Sequence, residues 1–126
     1  MVLAMVLCDY AVRSSDGKNS VIGIIDRVQS VSFPALIPRL FLYAKLKNGG
    51  GAYSVRLEFA DVTNNRVLGR ADMAAVEFKN SRDPVEIIVE QRGLPVPVEG
   101  RYEFRLYLDE MFVGHTTLYA DTVDMK

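Results

Sequence analysis

The sequence predicts an all-β protein: a single antiparallel β-sandwich over residues 1–126, immunoglobulin-like or jelly-roll-like, with about eight strands, a C-terminal hairpin and little or no helix. Three observations predict this class. Apolar and polar residues alternate in several short runs, turn-forming residues recur about every ten to fifteen positions, and no long stretch has helical spacing. A chain of 126 residues has the size of one ordinary domain, and no repeat or linker divides it.

The N-terminal part of the chain reads as a hairpin. Residues 2–10 are apolar at nearly every position, which is typical of a central strand that is covered on both faces. A turn is predicted at 16–19, where Asp-Gly favours positive φ, and residues 21–26 form the second strand. Gly23 inside that strand indicates a bulge or a close approach of backbone.

The next segment is predicted to cross from one sheet to the other. Val28, Val31 and Phe33 continue in β conformation at uneven spacing, and Pro34 and Pro38 then bracket residues 35–37 and exclude a regular helix or a central strand there. Clean alternation then resumes over 40–47 and predicts a strand. Its inward positions are Leu40, Leu42, Ala44 and Leu46, and its outward positions are Phe41, Tyr43, Lys45 and Lys47.

The middle of the chain contains further strands and one ambiguous stretch. Residues 71–78 fit either two helical turns or a strand, and a strand is the favoured interpretation. Two glycines and two prolines at 93–100 predict an extended segment that carries the chain between sheets. The other predicted elements are strands at 53–59, 67–69 and 85–90, a turn at 63–66, and loops at 48–51 and 80–84.

Residues 100–120 are the clearest hairpin, and two registers are open for its second strand. In the first strand, four inward apolar residues alternate with outward polar ones; the inward set is Tyr102, Phe104, Leu106 and Leu108. A two-residue loop at Asp109-Glu110 turns Met111, Val113, His115 and Thr117 inward, whereas a three-residue loop turns Phe112, Gly114, Thr116, Leu118 and Ala120 inward. The second is favoured because it buries Phe112 and Leu118 at ~1.5–3 kcal/mol each. It requires a left-handed conformation at Met111.

Outward aromatic residues provide the candidate functional site. In the favoured register, the outer surface of the hairpin is a strip of polar and aromatic groups. Exposed aromatics on a sandwich can stack on sugars or bind a protein partner, although they can also pair across strands or lie under a loop. The candidate contact surface is Tyr43, Arg105, Tyr107, His115 and Tyr119.

Other kinds of site have few candidate residues. The single histidine, His115, and the single cysteine, Cys8, cannot supply four zinc ligands, and no serine has a nucleophile signature. Cys8 lies in the most apolar strand, which is typical of a buried, inert thiol. Calcium would need clustered oxygens, and the loop residues that could converge, or simply be solvated in turns, are Asp16, Asn19, Asp61, Asn64, Asn65, Asp109 and Glu110. We therefore expect no enzyme activity and no metal or other cofactor.

The charge and hydropathy of the chain limit its partners and its location. A net charge of −1 without a basic run argues against nucleic-acid binding. The chain has no apolar stretch near the ~20 residues of a membrane span and no usual signal peptide. A single cysteine suits a reducing compartment, so a cytoplasmic protein without membrane contact is expected.

Several segments share the pattern of a known group of proteins. They are Cys8-Asp9-Tyr10-Ala11, the turn at 16–19, the strand at 21–26, Phe33-Pro34-Ala35, the run at 100–104 and Leu108-Asp109-Glu110. Together they resemble a family of small bacterial proteins of uncharacterised function that are predicted to be β-sandwiches. The resemblance implies this fold and a bacterial origin, and it supplies no catalytic residue. The family commonly has Asp-Gly where this chain has Asp109-Glu110.

The function expected from these observations is a non-catalytic one. A β-sandwich with exposed aromatics and open strand edges is suited to binding another protein or a second copy of itself. The alternative is a module that binds a small ligand, either a carbohydrate or a ligand held through calcium.

Overall fold

The computed structural model describes residues 2–47, 50–79 and 83–123, which form two packed β-sheets without a helix. The predicted β-sandwich is confirmed, with nine strands rather than about eight. The strands are β1 (Val2–Arg13), β2 (Asn19–Ile25), β3 (Arg27–Ser30), β4 (Ala35–Leu46), β5 (Gly51–Asp61), β6 (Arg66–Phe78), β7 (Val85–Val96), β8 (Gly100–Leu108) and β9 (Met111–Thr122). The predicted loops at 48–51 and 80–84 lie partly outside the described residues.

The strand order is that of an immunoglobulin-like sandwich. The four-stranded sheet has the order β2-β1-β4-β7 and the five-stranded sheet the order β3-β9-β8-β5-β6. All neighbouring strands are antiparallel except β3 and β9, which are parallel. Near the start of β8, the Tyr102 hydroxyl donates to the Val98 carbonyl oxygen at 2.6 Å. This is the tyrosine corner of immunoglobulin-like domains, so the fold is of that type rather than a jelly roll.

The core lies between the sheets, where the alternating pattern placed it. The inward residues predicted on β4 and β8 are all buried, and so is Leu118 on β9. The ambiguous stretch 71–78 is part of a strand, as favoured, because β6 runs without interruption from Arg66 and includes the short strand predicted at 67–69. Hydrophobic burial on alternate positions therefore determines which side of each strand faces inward.

The crossing predicted at residues 35–38 was wrong, because these residues form the first part of β4. β4 pairs with β1 only between Phe41 and Leu46, so at Pro38 its only neighbour is β7. A missing N–H is tolerated there because the other side of the strand is open. Residues 93–96 also pair with β4, as the end of β7, instead of crossing between sheets. The predicted crossing does occur at β3. This strand follows β2 and precedes β4 in the sequence, but it belongs to the five-stranded sheet.

The half of the β1–β2 hairpin that is nearer its turn lies against the outer face of the four-stranded sheet. Pairing of β1 with β4 ends at Cys8, and the hairpin continues alone from there. Gly23, with φ of 69°, lies in this region, and its missing side chain leaves room for the Asp9 carboxylate. Ala11 packs with Cys8 and Phe41 in a second apolar cluster. Phe41 therefore faces outward as predicted, yet it is buried.

The terminal hairpin combines parts of both predicted registers. Asp109 and Glu110 both have positive φ, at 48° and 67°, and form a two-residue turn of the I′ kind that pairs Leu108 with Met111. A bulge at Val113 then absorbs one residue, so that Leu106 pairs with Gly114. The inward set from Gly114 onward is the one we favoured.

Two details of the favoured register were wrong. The left-handed residues are those of the turn and not Met111. Phe112 lies on the outer face with 52% of its surface exposed. The bulge explains both, because it allows the tight turn and the burial of Leu118 together.

Candidate functional site

The outer face of the five-stranded sheet brings together four of the five residues of the candidate contact surface. Arg105 lies opposite His115 across β8 and β9, and Arg101 lies opposite Tyr119. Tyr107 lies opposite Phe112, on the turn side of the bulge. Directly opposite residues share a face in an antiparallel pair, so these side chains form one strip along the hairpin.

Tyr43 is not part of this strip. It lies on β4, on the outer face of the other sheet, where it is only half-exposed. Its hydroxyl donates to Glu86 on β7, and the positive charge of Arg13 in the β1–β2 hairpin stabilises the same carboxylate. Tyr43 therefore belongs to the surface beneath that hairpin, on the opposite side of the sandwich from the other four residues.

The bond between Tyr43 and Glu86 changes the acidity of both groups. The pKa of Tyr43 is raised to about 12, first by burial and then by the neighbouring Glu86 carboxylate. The pKa of Glu86 is lowered, first by the Tyr43 hydroxyl, then by the adjacent Asn19 amide and by the charges of Lys45 and Arg13. Tyr43 thus keeps its proton while Glu86 remains ionised.

Tyr43→Phe is expected to make the protein less sensitive to alkaline unfolding. Folded Tyr43 binds its proton more tightly than the unfolded chain does, so its contribution is complete below pH 10 and is lost as the pH rises from 10 to about 12. Urea denaturation at a series of pH values should give a shallower decline for Tyr43→Phe than for the wild type. Tyr119→Phe serves as the control, and parallel curves for wild type and Tyr43→Phe would contradict the expectation.

Three rings near the hairpin turn form what we call the aromatic cluster: Tyr107, Phe112 and His115. The centres of the Tyr107 and Phe112 rings are 5.7 Å apart in an edge-to-face contact, and those of Phe112 and His115 are 6.3 Å apart and nearly parallel. The Arg56 guanidinium of β5 lies 4.1 Å from the centre of the Tyr107 ring. The cluster is therefore held in place by ring contacts and a cation–π contact.

The charges around the aromatic cluster are paired within the same face. Arg56 forms ion pairs with Glu58, at 3.2 Å, and with Glu110. Glu103 lies 3.0 Å from Arg105 and 3.6 Å from the His115 Nε2 atom. Further pairs on this face are Arg27 with Asp121, Arg70 with Asp72 and Arg101 with Glu103. The face consequently presents mixed charge and no unbalanced basic patch.

Three of the loop carboxylates that the sequence offered for calcium accept hydrogen bonds from neighbouring groups. Asp109 accepts from the Ser54 backbone N–H at 2.8 Å, and buried Asp61 accepts from the Asn64 amide at 2.7 Å. Asp16 accepts from the Lys18 N–H at 3.1 Å. In the part of the chain that the structure describes, no three His, Cys, Asp or Glu residues group closely enough to hold a metal.

Cys8 is fully buried, as predicted, and its thiol lies 3.7 Å from the Phe41 carbonyl oxygen. Burial is the main cause that raises the pKa of this thiol. His115 lies on the outer face of the other sheet. The two groups are therefore on opposite sides of the core and do not form a Cys–His pair.

A cleft of about 200 Å³ opens between the edge strands β6 and β7. Its apolar lining includes Phe59, Leu94 and Phe104, and polar lining comes from Arg70 and Arg92. The alternating pattern of the strands did not predict this cleft. The sequence feature that could have indicated the cleft is a glycine in each bordering strand. Gly69 and Gly93 both leave open space where a side chain would lie.

Two further residues were not predicted from the sequence: Phe112 in the aromatic cluster, and Arg56, which supports the cluster. Phe112 was assigned to the core because the bulge at Val113 is invisible in an alternating pattern. Arg56 was not singled out because its position beside Tyr107 depends on the pairing of β5 with β8, which are distant in sequence. The only local signal was the Asp109-Glu110 pair, whose tight turn leaves Phe112 opposite Tyr107.

Fold and surface together define a class: an immunoglobulin-like β-sandwich with a polar and aromatic outer face. The chain belongs to the family of unknown function DUF6941, which matches residues 3–121. No curated protein matches the chain. No helix in the described ranges is long and apolar enough to cross a membrane.

Two solved structures are similar to the chain at low identity. Both are of the sensor domain of the anti-sigma factor RsgI4 of Pseudobacteroides cellulosolvens, in a longer and a shorter version. The longer one is 15% identical, with a TM-score of 0.44, and the match covers 73% of this chain and 91% of that one. The shorter one is 16% identical, with a TM-score of 0.44, and the match covers 75% of this chain and 100% of that one.

Proposed function

We propose that this protein is a non-catalytic interaction module that binds a protein partner through the outer face of its five-stranded sheet, centred on the aromatic cluster. The observation that carries the proposal is Phe112, which is 52% exposed and yet held in a fixed position between Tyr107 and His115. A large ring on an outer sheet face gains little from folding, and it gains more from being covered by a partner.

The composition of the face supports binding to a protein. Tyr, Phe and Arg are the residues that protein interfaces favour and that contribute most to their affinity. Because the cluster is already ordered by Arg56 and by its own ring contacts, binding would cost little side-chain entropy. The paired charges of Arg105 and Glu103 would form a polar rim beside it.

The same features define the chemistry of the partner. Basic and acidic groups on the face neutralise each other, so no strong field would attract a phosphate backbone. The complementary surface should place an apolar side chain against Phe112 and polar groups around it. A folded protein or a peptide segment of mixed character fits this description.

A small-ligand module is supported less well. The cleft between β6 and β7, at about 200 Å³, is smaller than the roughly 300–1,000 Å³ of ordinary ligand pockets. The loop carboxylates Asp61 and Asp109 are engaged by neighbouring turn and strand groups. These observations favour a partner surface over an enclosed ligand.

Phe112→Ala tests the proposal, with Val67→Ala as the matched control. Both residues are large, apolar and half-exposed on strands, but Val67 lies on β6, away from the aromatic cluster. Wild-type protein immobilised on a support should retain a specific protein from cells of its source organism. Val67→Ala should retain the same protein, and Phe112→Ala should bind it about thirtyfold more weakly, as expected for the loss of a ~2 kcal/mol anchor.

Two results would contradict the proposal. One is a specific protein that Phe112→Ala binds as tightly as the wild type does. The other is the absence of any specific protein together with stabilisation of the wild type by a glycan panel in a thermal-shift assay, which would favour the ligand-binding alternative. Circular dichroism of each variant should show that the fold is retained.

A further inference from the structure

The cleft between β6 and β7 exists because β6 has small residues at inward positions. In the ladder with β5, Gly69 lies opposite Phe59 and Ala71 lies opposite Leu57. Opposite residues share a face, so Gly69 and Ala71 point toward the core beside two large apolar residues. A Cβ atom at Gly69 would meet no neighbouring atom within 4 Å. The core is therefore open along this part of the β6 edge.

A kink in β7 opens the cleft from the other side. The buried residues of β7 are Ile87 and Val89 before the kink, and Leu94 and Val96 after it. The buried positions therefore shift by one residue at Gly93, whose φ is 62°. A Cβ atom at Gly93 would also meet no neighbouring atom within 4 Å. Glycine is the residue that adopts this conformation readily, and its lack of a side chain keeps the cleft open.

The floor and the mouth of the cleft differ in chemistry. Buried Phe59 and Phe104 lie at the floor, with ring centres 4.8 Å apart. Arg70 of β6 and Arg92 of β7 lie at the mouth, since their side chains are 54% and 75% exposed. Among the described residues that line the cleft, these two arginines are the charged ones and none is acidic. The cleft thus combines an aromatic floor with a positively charged mouth.

The ion pairs of these two arginines leave them able to bind a further anion. Arg70 pairs with Asp72 at 3.2 Å and Arg92 pairs with Glu90 at 2.7 Å, and neither acid lines the cleft. A guanidinium carries five N–H donors, so one carboxylate does not use them all. Pairs between exposed side chains also contribute little to stability. A carboxylate that enters the cleft can therefore share or replace these partners.

We propose that the cleft binds a small aromatic carboxylate, with its ring against Phe59 and Phe104 and its carboxylate at the two arginines. The cleft volume is about 200 Å³, and an apolar cavity of about 150 Å³ is known to hold benzene. The space therefore suits one six-membered ring with a substituent. Aromatic rings gain from contact with each other beyond the area that they bury, and charge-assisted hydrogen bonds to a guanidinium are strong.

A titration of the ¹⁵N-labelled full chain with benzoate, followed by NMR, tests the proposal. The amide signals of Gly69 and Gly93 should shift in a saturable way. Benzyl alcohol, which keeps the ring and lacks the charge, should bind about tenfold more weakly. Acetate, which keeps the charge and lacks the ring, should leave both signals in place. Unchanged signals at benzoate concentrations up to about 10 mM, or equal shifts with acetate, would overturn the proposal.

Substitutions separate the contribution of the space from that of the charge. Gly69→Leu should fill the cleft, because Gly69 has no positive φ and has room for a side chain; it should weaken benzoate binding at least about tenfold and leave the protein folded. Arg70→Gln/Arg92→Gln should weaken the binding of benzoate and not that of benzyl alcohol. Arg101→Gln, on the outer face of β8, is the matched control and should bind both like the wild type.

Two results with these variants would refute the proposed site. One is wild-type affinity for benzoate in a folded Gly69→Leu protein, as judged by circular dichroism. The other is an equal loss of affinity in Arg101→Gln and in the double variant, which would indicate general attraction of anions to the surface. Because Phe112 does not line the cleft, these results are independent of the partner-binding test.

Discussion

Phe104→Ala should lower the free energy of unfolding by about 3–5 kcal/mol. The Phe104 side chain is 1% exposed and packs against Phe59 with ring centres 4.8 Å apart. It also lines the cleft between β6 and β7, so truncation would enlarge an existing space that its neighbours cannot easily fill. Equilibrium denaturation in urea measures this loss.

Phe112→Ala is a matched control for this prediction. It removes the same side chain from the same hairpin, but from the outer face. Because Phe112 is half-exposed and loses only its contacts with Tyr107 and His115, we expect a loss of about 1 kcal/mol or less. Equal destabilisation by the two substitutions would show that Phe112 is buried and that the bulge at Val113 is misplaced.

Tyr102→Phe is expected to cost about 1–2 kcal/mol through the loss of the tyrosine corner. Its hydroxyl donates to the Val98 carbonyl at 2.6 Å and accepts from the Val98 N–H at 3.2 Å. The substitution keeps the ring, which stacks on Phe59 with centres 5.3 Å apart. The cost stays moderate because Val98 lies at the surface, where water can replace part of the lost bonding.

Urea denaturation of Tyr102→Phe beside Tyr119→Phe isolates the effect of this hydroxyl. Tyr119 lies exposed on the outer face, so loss of its hydroxyl should change the free energy of unfolding by less than about 0.5 kcal/mol. If Tyr102→Phe were as stable as Tyr119→Phe, the corner would contribute nothing to the fold.

Much of the fold could be predicted because burial imposes a period of two on each strand. The inward positions of β4 and β8 followed directly from the alternation around Leu42 and Phe104. The prediction failed where a strand has only one neighbour. Pro38 and residues 93–96 read as breaks in a sheet, but they lie where an open side tolerates a missing N–H.

The candidate site was predicted less completely, for reasons that are also physical. Arg105, His115 and Tyr119 follow from the register of a single hairpin, which is local. Tyr43 has the same outward alternation, but the β1–β2 hairpin that lies near it is a tertiary feature. Phe112 depended on one bulge, and a one-residue shift reverses the face of every following side chain.

The bulge at Val113 also has a consequence for the length of the chain. At this bulge β9 has one residue more than β8. The residues before the bulge and the inward residues after it are both paired with β8. Removing Val113 would restore a regular ladder, with Tyr107 still opposite Phe112 and Leu106 still opposite Gly114. The hairpin can therefore lose a residue here at the cost of the packing of Val113 alone. A one-residue deletion at this position would leave both faces of the sheet unchanged.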